Sequence, residues 1–365
     1  MEAYQSIGAY SDANPVFCAK FYKNWNVWVT STLVILGTIG NVICIVIFHL
    51  YPWLGGSLIG LLLALAWADT LHTFLNSLVI VWPDVAMYCC GGQKIWNFVM
   101  YSYAYLWPIV GMALSLSVWF VVLITLHRYI AVIHPLKHSV YSTRKVIRRH
   151  IILICILCIL FELPRFFEIE VIEIMDPSTN QTIKFWTYTD LFNDQYYQLI
   201  YKNIIMLPMK KYIPIFIISY ASIRIVLAVK KRNKIQNAES TTEPPTQSSS
   251  KNAKQEVKVT QTMLIIMIAF IVTQLPTCAY PIARLILPDE KKVSCSVFAI
   301  YAVVADTFAL TNTCINFYIY VIAWRAFRSR VMLLFCGKCC GKQFVREHET
   351  STVYQHTTQH SLSHR

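Results

Sequence analysis

Charge is absent from three long stretches of the chain, residues 24–48, 95–126 and 259–283, each at least 25 residues without Asp, Glu, Lys or Arg. A helix crosses the hydrocarbon core with roughly 20 apolar residues, so each run is long enough to span a bilayer. Together with the shorter apolar runs between them they predict seven spans, at 25–48, 57–82, 97–126, 150–167, 200–229, 259–286 and 297–324. The fourth and fifth interrupt the pattern, one with Glu162 and Arg165 near its end, the other with Lys210, Lys211 and Arg224. A six-span count would follow if the fourth did not insert. No internal repeat or inverted half-symmetry is visible. The expectation is an all-α membrane protein, a seven-transmembrane helical bundle.

Composition agrees: 14% of the 365 residues are charged, where a soluble domain carries about a quarter. The net charge of +13 would suit nucleic acid if it formed a stripe on a soluble surface. Here the basic residues fall between the spans, so a bilayer explains them and nucleic acid does not. With the amino terminus outside, the inner segments 128–149, 224–258 and 325–365 hold six, eight and seven Lys or Arg, which is 21 of the 32. The first inner loop, near Tyr51, has none. Residues 1–24 lack the basic start and apolar middle of a signal peptide, so they read as an extracellular segment and span one as an uncleaved signal anchor. The glycosylation sequon at Asn180, Gln181 and Thr182 lies between spans four and five, on the outer side of this arrangement.

Within the transmembrane domain 25–324, residues 230–258 carry Thr241-Thr242-Glu243-Pro244-Pro245 and a serine run flanked by Lys. That composition buries no core and predicts a disordered third cytoplasmic loop. After span seven, 325–365 begins with basic and bulky apolar residues alternating at near-helical spacing from Trp324 to Phe335, as in a short amphipathic helix on the inner membrane face. Cys336, Cys339 and Cys340 follow it and suit palmitoylation; a zinc site lacks a matching His pair.

Polar groups inside a span cost about 2.5–3.5 kcal/mol each on insertion scales, so each needs a partner or a purpose. Asn41, Asp69, His72, Ser117, Gln274, Asp306, Asn312 and Asn316 all lie well inside spans. Asn312 and Asn316 are four apart and share a face of the seventh. One carboxylate, Asp69, among the neutral groups of Asn41, Ser117, Asn312 and Asn316 suits either a sodium ion or proton, or a hydrogen-bond network with no ion.

At the end of span three, His127-Arg128-Tyr129 followed by Pro135 resembles the Asp-Arg-Tyr motif of rhodopsin-like G-protein-coupled receptors, with His in place of Asp. The other motifs come in order: Gly40-Asn41 in span one, Leu63-Ala64 to Asp69 in span two, Pro214 in span five, Phe270 with Gln274 and Pro276 in span six, and Asn316 to Tyr320 in span seven. They cover about three quarters of the chain, and agreement of type, spacing and order identifies it as similar to that class. Gln274 where the class has Trp, Phe317 where it has Pro, and Thr189-Asp190-Leu191 resemble invertebrate FMRFamide-type neuropeptide receptors.

The resemblance implies a plasma-membrane receptor, not an enzyme, that takes an extracellular ligand and activates a heterotrimeric G protein when spans five and six swing away from three. Arg128, His127, Tyr129, Phe270, Pro276 and Tyr320 then belong to the activation switch. Glu256, twenty residues before Pro276, is the expected resting partner of Arg128, or else a solvated loop carboxylate. His127 lacks the full negative charge of the usual Asp, which raises a dependence on cytoplasmic pH, or else it is simply exposed. Thr350, Ser351, Thr352 and the later tail hydroxyls suit phosphorylation and arrestin, or an unmodified tail. The class usually ties the outer end of span three to the loop after span four by a disulfide, but residues 91–154 and 159–277 contain no Cys. Cys18, Cys89, Cys90 and Cys295 are the alternatives for an exofacial bridge.

Val110 stands where amine receptors place an Asp, and span seven has no Lys for a retinal Schiff base, which argues against both ligand classes. The outer region is rich in acids and aromatics, among them Glu162, Glu168, Glu170, Glu173, Asp190, Asp194, Asp306 and Trp186. These favour a basic peptide held by a carboxylate, with Asp306 the first choice and Gln274, Glu162, Val110, Asp190 and Trp186 the other expected contacts. One of Lys210 and Lys211 pairs with Glu162 across spans four and five, or they snorkel outward; either one facing the cavity would instead favour an anionic group. A non-peptide ligand, a constitutively active receptor, and a channel or transporter are the alternatives. No HExxH, GxSxG or glycine-rich phosphate loop points to an enzyme.

Overall fold

The computed structural model describes residues 21–54, 56–89, 92–175, 182–239, 247–286 and 297–335. Its long helices are α1, Phe21–Leu50; α2, Gly56–Ala86; α3, Gln93–Ile133; α4, Arg144–Glu162; α5, Tyr197–Arg232; α6, Gln247–Ile286; and α7, Val297–Ala323. Residues 325–335 form a further helix, α8. Between α4 and α5 an antiparallel hairpin pairs β1, Ile169–Met175, with β2, Thr182–Tyr188, in a register from Ile169 opposite Tyr188 to Met175 opposite Thr182.

Among the described residues, five helical runs are long and apolar enough to cross a membrane: α1, α2, Lys94–Ile133 of α3, α5 and Thr260–Ile282 of α6. The apolar side chains these helices leave uncovered fall in helical stripes. Ile35, Ile39, Val42 and Val46 are exposed along α1, and Ile265, Ile268, Val272 and Leu275 along α6. In water such stripes would be aggregation surfaces; beside lipid tails they are in a matching solvent. α4 and α7 fall outside the five. The first opens with Arg144, Lys145, Arg148 and Arg149 and ends on Glu162, and the second carries Asp306, Asn312 and Asn316. α4 nonetheless exposes Ile152, Leu153, Ile156, Leu157 and Leu160 on one side.

α3 is the central element, in contact with α2, α4, α5, α6 and both hairpin strands, while α7 packs between α6 and α1. The core follows α3 through Val118, Phe120, Val121, Val122 and Ile124, against Leu61, Leu62 and Leu65 of α2 and Met263, Met267 and Phe270 of α6. Small residues let α1 and α7 approach: a Cβ on Gly37 would overlap the Cys314 side chain. This close approach by glycine is the usual device for joining helices in lipid, where burial alone offers little drive.

The structure departs from the pattern-based reading around residues 230–258. The backbone is helical through Glu239 and again from Gln247, with 240–246 outside the described residues. A Lys- and Gln-rich sequence shows no apolar stripe, so periodicity gives no sign of a helix here. The hairpin was likewise unforeseen.

Candidate functional site

A cavity of about 510 Å³ opens between α2, α3, α5, α6 and α7 at the hairpin end of the bundle. Its apolar wall includes Trp107, Val110, Leu114, Val118 and Leu310, and its charged lining is Arg165, Lys202, Lys210, Lys211 and Asp306. Four cations and one carboxylate therefore face this space, the reverse of the balance expected from the acid-rich segments around it.

The missing acids lie behind the wall. Glu162, at the end of α4, is fully buried, accepting hydrogen bonds from Ser115 of α3 at 2.6 Å and Arg165 at 2.9 Å, and pairing with Lys210 of α5 at 2.5 Å. Glu168 takes Lys202 at 3.2 Å and the Tyr197 hydroxyl at 2.8 Å, with Arg165 3.9 Å away. The residues Arg165 and Glu168 flank Glu162 and each other at three-residue spacing, which places them on one face of the short turn Leu163–Phe167. Glu162 thus reaches Lys210, one of the two sequence alternatives for that residue, and it does not line the cavity.

Lys211 is also turned inward, although consecutive residues on an α-helix point about 100° apart. The wider turn of α5 at Pro208–Tyr212 accompanies this arrangement. The Lys211 ammonium donates to the Thr277 carbonyl at 2.8 Å. That oxygen would ordinarily accept from the amide four residues on, which is Pro281 and has no N–H. Lys211 replaces the bond the proline removes. Asp306 carries no hydrogen bond among the described residues, and Lys211 is its nearby charge.

His72 continues the cavity floor into the core. Its Nδ1 lies 3.3 Å from the Thr313 hydroxyl, and the Thr313 carbonyl accepts from Asn41 at 2.9 Å. One turn below His72, Asp69 accepts from Ser117 at 2.5 Å and from Asn316 at 2.7 Å. Asn312 accepts from Thr273 at 3.3 Å. Asn41 Oδ1 and Asn312 Nδ2 are buried with no hydrogen-bond partner among the described residues. All five residues picked out as a polar network are buried, with Asp69, Ser117 and Asn316 in direct contact, while Asn41 and Asn312 bond instead to Thr313 and Thr273.

Residues 40–320 match the 7 transmembrane receptor (rhodopsin family) pattern, from Gly40 to Tyr320. The chain belongs to the rhodopsin family of seven-transmembrane receptors. Such proteins are receptors and not enzymes. Similar proteins include the FMRFamide receptor of Drosophila melanogaster, 24% identical over 317 residues covering 84% of this chain and 54% of that one. A second is the FMRFamide peptide receptor frpr-18 of Caenorhabditis elegans, 24% identical over 202 residues covering 55% and 46%. The chain spans about half the length of these curated relatives.

In this rhodopsin-family receptor the hairpin rests on α3. Trp96 donates to the Lys184 carbonyl at 2.7 Å and meets Phe185 edge to face at 5.3 Å, while Tyr103 stacks on Trp186 at 4.7 Å. The Lys184 ammonium bonds the Tyr101 hydroxyl at 2.6 Å and sits 3.3 Å from Glu173. These two contacts hold it above the usual lysine range. Trp186 therefore packs from β2 onto α3 and is not among the residues lining the cavity, and Asp190 opens the short helix Asp190–Asn193 on the surface. Gln274 and Val110 do line the cavity, the Gln274 amide oxygen accepting from Thr277 at 2.9 Å.

At the opposite end His127 is buried, its Nδ1 3.2 Å from Ser142 and its Nε2 3.4 Å from His150 of α4. Arg128 is half-buried, and Tyr129 lies near Tyr220 of α5. Tyr320 packs with Phe48, Trp324 and Phe327, and the Arg330 guanidinium lies 4.9 Å over Tyr51 and 5.0 Å over Trp53, holding α8 against the α1–α2 turn. The backbone at Glu256 is helical, but its side chain, like Asn180, Cys18, Cys89, Cys90, Cys295, Cys336, Cys339 and Cys340, lies outside the described residues. Arg165, Lys202, Ser115 and Gly111 had no role in the sequence reading; Arg165 was legible only as a charge near a span end.

Proposed function

We propose that this receptor crosses the plasma membrane seven times, binds an extracellular peptide in the hairpin-end cavity and activates a heterotrimeric G protein at the α8 end. The observation that carries the reading is Asp306: a carboxylate open to the cavity, beside Lys211 and without a hydrogen bond among the described residues, in a wall of aromatic and aliphatic side chains. A cationic ligand group would complete it with charge-assisted bonds. The relatives' ligand, FMRFamide, carries an arginine and supports a peptide of that type. A cavity of about 510 Å³ takes a few side chains, so the rest of a peptide would lie against the hairpin.

The Asp69 network connects this cavity with the α8 end, since Asp69, Ser117 and Asn316 join α2, α3 and α7. Its donor set, a buried carboxylate with hydroxyl and amide oxygens, fits a small hard cation such as sodium. When bound, the ion would neutralise Asp69 and hold the three helices in the resting packing. Arg128 and Glu256 would form the switch at the α8 end, and the α8 cysteines and tail hydroxyls would take palmitate and, after phosphorylation, arrestin. Positive-inside counting supports an extracellular amino terminus.

The experiment is to express the full chain with a promiscuous G-protein reporter and titrate amidated peptides, FMRFamide first. A saturable response absent from untransfected cells is expected. Binding of no peptide, together with ligand-evoked current in cells lacking G proteins, would replace the receptor reading by a channel.

A further inference from the structure

We infer that the α4 and α5 side of the cavity is an anion subsite, built on Lys210 and Arg165, for a carboxylate of the ligand. The inference rests on the cavity being the ligand site and adds the ligand's chemistry: FMRFamide has an arginine but no carboxylate, so the ligand inferred is a peptide that carries an acidic residue in addition to the cation met by Asp306.

Charge accounting carries it. Arg165 and Lys210 share one carboxylate, Glu162, and Lys202 pairs with Glu168, which also lies 3.9 Å from Arg165; among the described residues the cluster therefore holds three cations and two acids. Exposure is sorted by sign. The Glu162 and Glu168 side chains are 0% and 5% exposed, whereas Arg165, Lys202 and Lys210 keep 11%, 21% and 16% and line the cavity. The carboxylates hold the cations from behind and leave their open sides toward the ligand. An excess positive charge at this depth is costly, and the cavity is the direction from which an anion can reach it.

The site is also sterically prepared. A Cβ on Gly111 of α3 would overlap Arg165 Nη1 and come within 3.1 Å of Glu162 Oε2. Only a residue without a side chain lets the guanidinium lie across α3 beside Glu162. Glycine is a poorer helix former than alanine, so its presence here trades helix stability for the position of Arg165. Ser115, one turn on, fixes the second Glu162 oxygen. Planar guanidinium and ammonium donors side by side match the two oxygens of a carboxylate.

The test uses full-length receptor purified in detergent, melted with N-acetylaspartate amide or with N-acetylasparagine amide at matched ionic strength. The acid stabilises wild type saturably and the neutral amide does not. The preference disappears in Lys210→Gln, which leaves Glu162 paired with Arg165 and Ser115, and it is retained in Lys210→Arg. Gly111→Ala, which keeps every charge but displaces the guanidinium, weakens it at least severalfold and serves if Lys210→Gln fails to fold. Equal shifts from acid and amide, no shift from either, or a preference surviving in both Lys210→Gln and Gly111→Ala overturns the subsite. FMRFamide, which has no carboxylate, is run in parallel as a probe of the Asp306 side: stabilisation by N-acetylaspartate amide without FMRFamide removes the FMRFamide-type ligand and leaves the subsite standing, and the converse sinks the subsite alone.

Discussion

Gly40 of α1 and Phe317 of α7 face each other so closely that a Cβ on the glycine would lie 2.9 Å from the phenylalanine Cβ and 3.1 Å from its ring. Phe317 stands where the family places proline, and its ring is also 6.2 Å from Phe327 of α8. The glycine is thus what allows an aromatic at this point. Gly40→Ala should destabilise by about 1–3 kcal/mol, the usual range for overpacking. Phe317→Ala removes the ring contacts and should recover part of that loss in a double-mutant cycle. Additive losses in thermal unfolding would show that the two side chains do not compete for this space.

Asp69 offers one oxygen to Ser117 and the other to Asn316. Asp69→Asn turns the second contact into two opposed amide donors, at a cost of about 1–3 kcal/mol for an unsatisfied buried group. Exchanging the pair, Asp69→Asn with Asn316→Asp, restores donor to acceptor and leaves Ser117 a carbonyl. The exchange should therefore regain stability that the single substitution loses. Agonist affinity measured with sodium or with choline should differ in wild type and not in Asp69→Asn. Equal affinities in wild type would remove the ion and leave the hydrogen bonds.

Much of this was legible because lipid penalises polarity. Asp69, Asn316 and Ser117 stand out in apolar runs, and a residue that costs kilocalories to insert must meet a partner. The partners themselves were harder. Glu162 was visible, but its bonds to Lys210, 48 positions on, and to Ser115, 47 back, depend on how α3, α4 and α5 pack. Gly111 leaves no trace in a hydrophobic pattern, since its importance lies in what another side chain does in its space. The hairpin was readable in hindsight, with Thr, Ile, Phe, Trp and Tyr crowded into Thr182–Tyr188, residue types that favour strands over helices.

Trp96 occupies the end of α3 that the family usually ties by a disulfide, and here the described contacts of that end with the hairpin are noncovalent. Its hydrogen bond to Lys184 and its ring contact with Phe185 are together worth about 1–3 kcal/mol. Trp96→Ala should raise amide exchange across Thr182–Tyr188 and speed peptide dissociation more than it slows association. Unchanged exchange in that strand would mean that the stacked Tyr103 and Trp186 suffice to hold it.

The switch at the other end rests on charge. His127 is engaged with Ser142 and His150, so it supplies Arg128 with no carboxylate. If Glu256 supplies it, Glu256→Ala raises basal signalling. A solvent-accessible pair is worth about 1 kcal/mol or less, which caps the rise near fivefold. A baseline unmoved by Glu256→Ala, at matched surface expression, would make that residue an ordinary loop carboxylate.

Asp306 gives the sharpest separation of ligand contact from scaffold. With an exposed side chain and no hydrogen bond among the described residues, its carboxylate holds the resting fold only by its attraction to Lys211, about 1 kcal/mol or less for an exposed pair. Asp306→Asn should leave the melting temperature of the ligand-free receptor nearly unchanged. Peptide potency should fall by about 10- to 100-fold, the 1.5–3 kcal/mol of a charge-assisted bond. Replacing the peptide's arginine by citrulline should produce a similar loss in wild type and little further loss in Asp306→Asn, since both changes remove the same interaction. Two independent losses that add would put the guanidinium elsewhere, and a lowered melting temperature without ligand would make Asp306 part of the fold.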